Sequence, residues 1–195
     1  MENKKPKIVI LDGMPTSGKT TISYNLAKKL PEWILVDIWR IKDMFVPIGY
    51  SNSLDKGEEK ILHEISKKEI FKLARAIIKN TQRSIIIHDI PIPDVKKKLG
   101  KELRENKYEV FSFQLKVPFE EAIKRNKKRE KPDLNFFKIW TKERWDNKIQ
   151  RKIKKGDIVV DTFENNQEEV VKIILKAIGE KGKKHPYEKL VRKFW

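Results

Sequence analysis

The chain contains no cysteine, which excludes a disulfide framework and any thiolate metal site. Its opening, "MENKKPKIVILDG", holds only four consecutive apolar residues, Ile8 to Leu11. That is too few for the apolar core of a secretory leader. No stretch elsewhere approaches the roughly 20 apolar residues of a membrane span. A soluble, cytoplasmic protein without membrane contact is the expectation. Histidine is scarce as well. His63, His88 and His185 are dispersed, so no histidine metal centre is expected, and His88, inside an apolar run, reads as structural. At 195 residues the chain has length for one domain with a real core. No internal repeat is visible.

Negative charge is short, and unevenly so. There are 45 Lys/Arg against 28 Asp/Glu, a net charge of +17. Residues 124–155 carry fourteen Lys/Arg against four Asp/Glu, and residues 181–195 carry six against one. These two segments hold +10 and +5; the other 148 residues sum to +2. Charge placed in this way points to an anionic partner larger than one nucleotide. Lysine outnumbers arginine 36 to 9, a bias that a lysine-rich proteome, as in thermophiles, would also produce.

Five short apolar runs read as strands: Lys7–Asp12, Trp33–Ile38, Ser84–Asp89, Val110–Val117 and Asp157–Thr162. A helix follows the first, with Ile22, Leu26 and Leu30 at helical spacing. Helical patterns also cover 55–79, 94–106, 118–130, 133–153 and 166–180. In the first of these, Ile61, Leu62, Ile65, Leu73, Ile77 and Ile78 are taken as one stripe, with Asp55 and Glu58 as a capping box. Strands alternating with helices predict a five-stranded parallel sheet with helices on both faces, and an active site at the carboxyl ends of its strands. The kinase-like domain spans 1–180, with a basic helical lid at about 119–150. The linker-like "GEKGKKHP" leads into a basic tail over 181–195.

Between the first strand and its helix stands "GMPTSGKT", a complete G-x-x-x-x-G-K-[ST] phosphate loop. Gly13 and Gly18 permit backbone angles and approaches that a Cβ would block. Pro15, Thr16, Ser17, Gly18, Lys19, Thr20 and Thr21 form the nucleotide cradle at the positive end of the helix. Lys19 suits the charge of the β- and γ-phosphates, and the Thr20 hydroxyl suits Mg²⁺. ATP with Mg²⁺ is the expected cofactor.

The signatures of two other phosphate-loop classes are missing. After strand 3 there is "HDIP" and not D-x-x-G, and no N-K-x-D follows. That argues against a GTPase. Asp89 is followed by Ile90 rather than the glutamate of a motor or helicase ATPase. A kinase needs a group to take the acceptor's proton and arginines over the phosphates. Asp37, ending strand 2 in "VDIWR", has the chemistry for the first, and its strand is expected near the phosphate-loop strand. Arg40 follows at a distance suited to clamp a phosphate. The same Asp would equally serve as a helix cap, with Arg40 an ordinary surface residue. In "VPFEEAIKRNKKRE", Arg125 and Arg129 fall on one helical face. They suit either a lid over the transferred phosphoryl group or a solvated basic helix end.

On these residues the chain resembles the polynucleotide 5′-hydroxyl kinase family of phosphate-loop kinases, over about residues 7–150. The likeness rests on the loop, on D-x-x-R at Asp37–Arg40, on "IIIHDIPIP" and on "VPFEEAIKRNKKR". The resemblance implies Asp37 as general base, Arg40 on the acceptor's phosphate and Asp89 supporting the acceptor site. It implies Arg125 and Arg129 as the lid, and RNA or DNA as acceptor. The D-x-x-R and lid arginines are also similar to those of seryl-tRNA kinases, whose helical tRNA-binding domain has no room here. Small-molecule kinases of the same clan share the loop and the Asp. A non-catalytic, nucleotide-gated RNA-binding protein is a third alternative.

Aromatics are interleaved with the lid's lysines: Phe136, Phe137, Trp140 and Trp145. They suit stacking of unpaired bases, but their near-helical spacing favours packing. Trp39, between Asp37 and Arg40, is the better candidate for an acceptor base or sugar. The loop "VPIGYSNSLDKG" over 46–57 is expected to border that site.

Overall fold

The computed structural model describes residues 5–44, 55–129, 132–133 and 135–182, the side chains of Lys56 and Phe137 excepted. The predicted loop over 46–57 thus lies almost wholly outside the described residues, as does most of the basic tail.

Five strands form one parallel sheet: β1 (Lys7–Gly13), β2 (Ile34–Asp37), β3 (Ile85–His88), β4 (Glu109–Lys116) and β5 (Ile158–Asp161). Their order is β2-β3-β1-β4-β5, with every pairing parallel. β1 is therefore central and its run Ile8–Leu11 is fully buried, as a strand covered on both faces requires. Strand β2 lies one strand removed from β1, with β3 between them. In register, Asp37 pairs with His88 and His88 with Leu11.

Alternate residues of the sheet build two cores. On one face Ile8, Ile10, Val36, Ile85 and Ile87 meet α3 (Lys56–Thr81) and α4 (Ile92–Glu105). On the other, Val9, Leu11, Ile86, Phe113 and Val160 meet α1 (Lys19–Lys29) and α8 (Gln167–Ala177). The Asp55–Glu58 capping box starts α3 as the spacing predicted. The predicted stripe needs correction, because Ile61, Ile65 and Leu73 are exposed while Ile70, Ala74, Ile77 and Ile78 are buried. The reason is geometric. At about 3.6 residues per turn Ile61 and Ile65 fall on the side of α3 away from the buried Ser66, Ile70, Ala74 and Ile77, and Leu73 falls at the edge of that buried face.

The expected helix over 133–153 is two helices. A short α6 (Phe136–Ile139) ends at an extended Trp140, and Thr141 caps α7 (Lys142–Lys152) by accepting the Arg144 amide. With α5 (Phe119–Lys127) these make the lid region. A third core ties it down: Met14 of the phosphate loop is buried with Val117, Ala122, Phe136, Trp145 and Ile149. Trp145 is fully buried and its indole donates to the Val117 carbonyl at 3.0 Å. The packing reading of Phe136 and Trp145 is the one observed. Trp140 meets Trp145 edge-on at 5.5 Å. Among the described residues, no helix is long and apolar enough to cross a membrane.

Candidate active site

The carboxyl ends of the strands open into a cavity of about 900 Å³. Its floor is the phosphate loop. A Cβ on Gly13 would come within 2.6 Å of the Leu115 carbonyl and 2.5 Å of Ser17 Oγ, so a larger residue there would push the loop off the sheet. Gly18 sits at φ 88 and Thr16 at φ 63, both left-handed. Backbone held in sparsely populated regions clusters at functional sites. The turn ends directly on α1, so the amides of its first turn face the cavity. Residues Pro15 to Thr21 all line it.

Beneath the loop lies a group that sequence reading missed. Asp12 is buried; its Oδ1 accepts from the Gly13 amide at 2.6 Å and from Lys152 Nζ at 2.6 Å. Its Oδ2 accepts from Ile92 N at 3.3 Å. One carboxylate thus joins the phosphate loop, α4 and the inner face of α7. A carboxylate in the apolar run "IVILDG" was the available signal.

Lys19 reaches the Met14 carbonyl at 3.1 Å and Asp89 Oδ1 at 3.2 Å. Thr20 Oγ1 donates to Asp89 Oδ2 at 3.3 Å, and the Trp39 indole donates to the same oxygen at 3.1 Å. Asp89 stands at φ 60 just past β3. This turn brings its side chain into the cavity wall, which Trp39 also lines. Burial would raise the Asp89 pKa; His88 and the Lys19 charge outweigh it and hold the carboxyl well below its usual range.

Asp37 is placed differently. Its side chain is 3% exposed, and the cavity lining includes Asp89 but not Asp37 or Arg40. Oδ1 accepts the Trp39 amide at 2.9 Å, so Asp37 does cap α2 (Ile38–Asp43). Oδ2 accepts the Tyr24 hydroxyl at 2.5 Å, and Tyr24 accepts from Arg40 Nε at 2.9 Å. Arg40 itself is more than half exposed. Burial would raise the Asp37 pKa, but His88, Tyr24 and the Trp39 amide bring it down to about 2. Tyr24, whose pKa is raised by burial and by Asp37, is a second residue that no sequence pattern marks.

The lid arginines also divide. Arg125 donates Nη2 to the Thr162 carbonyl at 2.6 Å and Nη1 to Thr162 Oγ1 at 3.2 Å, with the Thr16 carbonyl at 3.4 Å. Its Nε pairs with Glu121 at 2.9 Å. It is fixed at the cavity edge, between the phosphate loop and the end of β5. Arg129 is exposed and lines the same cavity. Asn165, Asn166 and Gln167, after β5, close the remaining side with carboxamide groups. Outside, Arg144, Lys148 and Arg151 are exposed at i, i+4 and i+7 along α7, one basic stripe that flanks the buried Trp145 and Ile149.

The order β2-β3-β1-β4-β5 and the loop on central β1 define a phosphate-loop kinase fold. Residues 7–193 match the family model described as chromatin associated protein KTI12, and the chain belongs to that family. Solved structures share the fold. The Deinococcus radiodurans tunicamycin resistance protein aligns with TM-score 0.62 at 16% identity, over 91% of this chain and 98% of its own. A chain of the Pnkp1/Rnl/Hen1 RNA repair complex gives 0.59 at 20% identity, over 78% of this chain and 48% of its own. The Mycobacterium tuberculosis APS kinase CysC, in complex with AMPPNP and APS, gives 0.56 at 12% identity, over 90% and 99%. No curated protein matches the chain in sequence.

Proposed function

We propose that this protein is an ATP-dependent phosphotransferase whose acceptor is the 5′-hydroxyl end of a polynucleotide. The observation that carries the reading is the cavity itself. It sets the phosphate loop between an acceptor-side wall, Asp89 and Trp39, and two arginines of the lid, Arg125 and Arg129. The hydroxyl oxygen attacks the γ-phosphorus as the bond to the β–γ bridging oxygen breaks, and ADP leaves. A carboxylate takes the hydroxyl proton. Asp89 faces the cavity, whereas Asp37, the base implied by resemblance, stands behind Tyr24. Asp89 is therefore the first choice for that role, with Asp37 and Arg40 shaping the wall. Lys19, Arg125 and Arg129 oppose the charge spread over the transferring group.

The exposed Thr20 hydroxyl on the first turn of α1, beside a carboxylate, is the oxygen chemistry Mg²⁺ prefers. Thr20 would hold the Mg²⁺ that enters with ATP, which neutralises charge on the β- and γ-oxygens. The polynucleotide end rests on the α7 stripe of Arg144, Lys148 and Arg151 and on the exposed Trp39 face. The family description, a chromatin-associated protein, agrees with a nucleic-acid partner. The test is to incubate the protein with Mg²⁺ and γ-labelled ATP, offering 5′-hydroxyl oligonucleotides beside a metabolite panel. Label on oligonucleotides is the expected result. Label only on metabolites makes it a small-molecule kinase, and label nowhere a nucleotide-gated binding protein.

A further inference from the structure

We infer that His88 is a positioning residue that sets the two strand-end carboxylates, Asp37 and Asp89, at the acceptor side of the cavity. The preceding residues, Ile85 to Ile87, are wholly buried aliphatics. A fourth aliphatic would fill this place if packing were the only demand. His88 is instead a fully buried imidazole, and both ring nitrogens face carboxylates. Nδ1 lies 3.0 Å from Asp89 Oδ2. Nε2 lies 3.5 Å from Asp37 Oδ1 without a hydrogen bond, a contact that becomes an ion pair when the imidazole is protonated. The parallel register produces the arrangement, because Asp37 and His88 are direct partners across β2 and β3. The left-handed turn at Asp89 then folds the second carboxylate back toward the same ring.

Trp39 completes the frame. Its amide donates to Asp37 Oδ1 and its indole to Asp89 Oδ2. Two anions that would repel each other are thus spaced by one ring and clamped by one tryptophan. Asp89 in turn meets Lys19 and Thr20, while Asp37 meets Tyr24 and, through it, Arg40. His88 sits where the phosphate half and the acceptor half of the site join.

The two contacts separate by substitution, because an Asn amide nitrogen falls near the place of Nδ1 and a Gln amide nitrogen near that of Nε2. His88→Asn keeps the Asp89 side; His88→Gln keeps the Asp37 side. In protein labelled with ¹⁵N-tryptophan, His88→Asn should shift the Trp39 amide resonance and spare its indole. His88→Gln should do the reverse. His88→Gln should also raise the Mg²⁺ concentration that half-saturates ATP binding by about fivefold, the worth of one hydrogen bond, and His88→Asn should leave it unchanged. The KM of a 5′-hydroxyl twelve-mer should respond to His88→Asn. These kinetic readouts rest on the phosphotransferase reading. The resonances and Mg-ATP binding do not, so a wild type that labels no oligonucleotide overturns that reading and leaves this one under test. His88→Leu with wild-type Trp39 resonances and Mg-ATP binding would show a space-filler. If His88→Leu does not fold, equal effects of the Asn and Gln variants on both Trp39 reporters overturn the inference.

Discussion

Lys19 Nζ lies 3.2 Å from Asp89 Oδ1, so the phosphate-loop lysine and the carboxylate after β3 form an ion pair in the cavity wall. The pair holds the lysine charge at the cavity surface formed by the phosphate loop. Lys19→Ala should weaken ATP binding and abolish transfer, since the phosphate charge loses its partner and Asp89 loses its counterion. Calorimetry with Mg-ATP and the γ-label assay check this. Wild-type turnover in the variant would remove the loop from the mechanism.

The two carboxylates make different predictions. Asp89 lines the cavity, whereas Asp37 is covered, with Oδ2 held by Tyr24. Removing a general base typically costs about 10²–10⁴-fold in rate. Asp89→Asn should lose kcat on that scale while still binding ATP. Asp37→Asn should lose less kcat and show a larger change in acceptor KM. Single-turnover rates on a 5′-hydroxyl oligonucleotide decide the matter, and the opposite order would return the base to Asp37.

His88 and Asp37 set the pH window of stability. Burial pulls the His88 pKa down, but the two carboxylates outweigh it and raise it above the ordinary 6.5. A raised value means that its contribution is complete below pH 6.5 and is lost as pH climbs through the folded value. Asp37, lowered from 3.8 to about 2, contributes above pH 3.8 and fails as pH falls toward 2. Thermal unfolding should therefore show a stability plateau with an alkaline decline and an acid decline. His88→Gln should flatten the alkaline side and shift the acid decline to higher pH, because His88 is one of the groups that hold Asp37 low. An unchanged alkaline decline would assign it to another group.

Most of this site was legible in the sequence because the phosphate loop is local. Eight consecutive residues carry both its shape and its chemistry, and they fold as strand, loop and helix without help from distant chain. Arg125 and Arg129, one four-residue spacing apart, also line the cavity, whereas Asp37 does not. What was not legible depends on sheet order. Nothing in "VDIWR" says that β3, not β1, lies beside it, and that one fact places Asp37 behind His88 and Tyr24. The Asp12–Lys152 pair joins residues 140 apart. Helix α3 misled because its apolar residues fall on two faces, with Ile61 and Ile65 across the helix from Ile70 and Ala74, and spacing alone does not say which face is covered.

Trp145 tests whether the lid aromatics pack or stack. It is fully buried among Phe119, Phe136 and Trp140, and its indole is spent on the Val117 carbonyl. Trp145→Ala should destabilise the protein by about 3–5 kcal/mol, the usual cost of emptying a large aromatic site. Trp145→Phe keeps most of the volume and should leave the KM for an oligonucleotide unchanged. Denaturant melts of both variants, with acceptor titrations of the second, check this. A weakened acceptor with unaltered stability would restore the stacking role.

The basic stripe of α7 makes the strongest demand on the acceptor. Arg144, Lys148 and Arg151 are exposed on the flank beside Trp145, so their charges do no work in the lid core. If they track a polyanion, acceptor affinity should fall steeply with salt. The slope for single strands is about −0.7 per phosphate neutralised, so three contacts give about −2. Changing all three to Gln should flatten the slope by about that amount and leave Mg-ATP binding untouched, because none of them lines the cavity. A dinucleotide, too short to reach the stripe, should bind weakly and ignore the substitutions. A twelve-mer should bind better at low salt and lose that advantage in the triple variant. Lysine bias on a small-molecule kinase predicts instead a shallow slope and equal constants for both lengths. Measuring the Michaelis constants of the two oligonucleotides at two salt concentrations, in wild type and triple variant, separates the two. Constants that ignore length, salt and substitution alike would sink the polynucleotide acceptor.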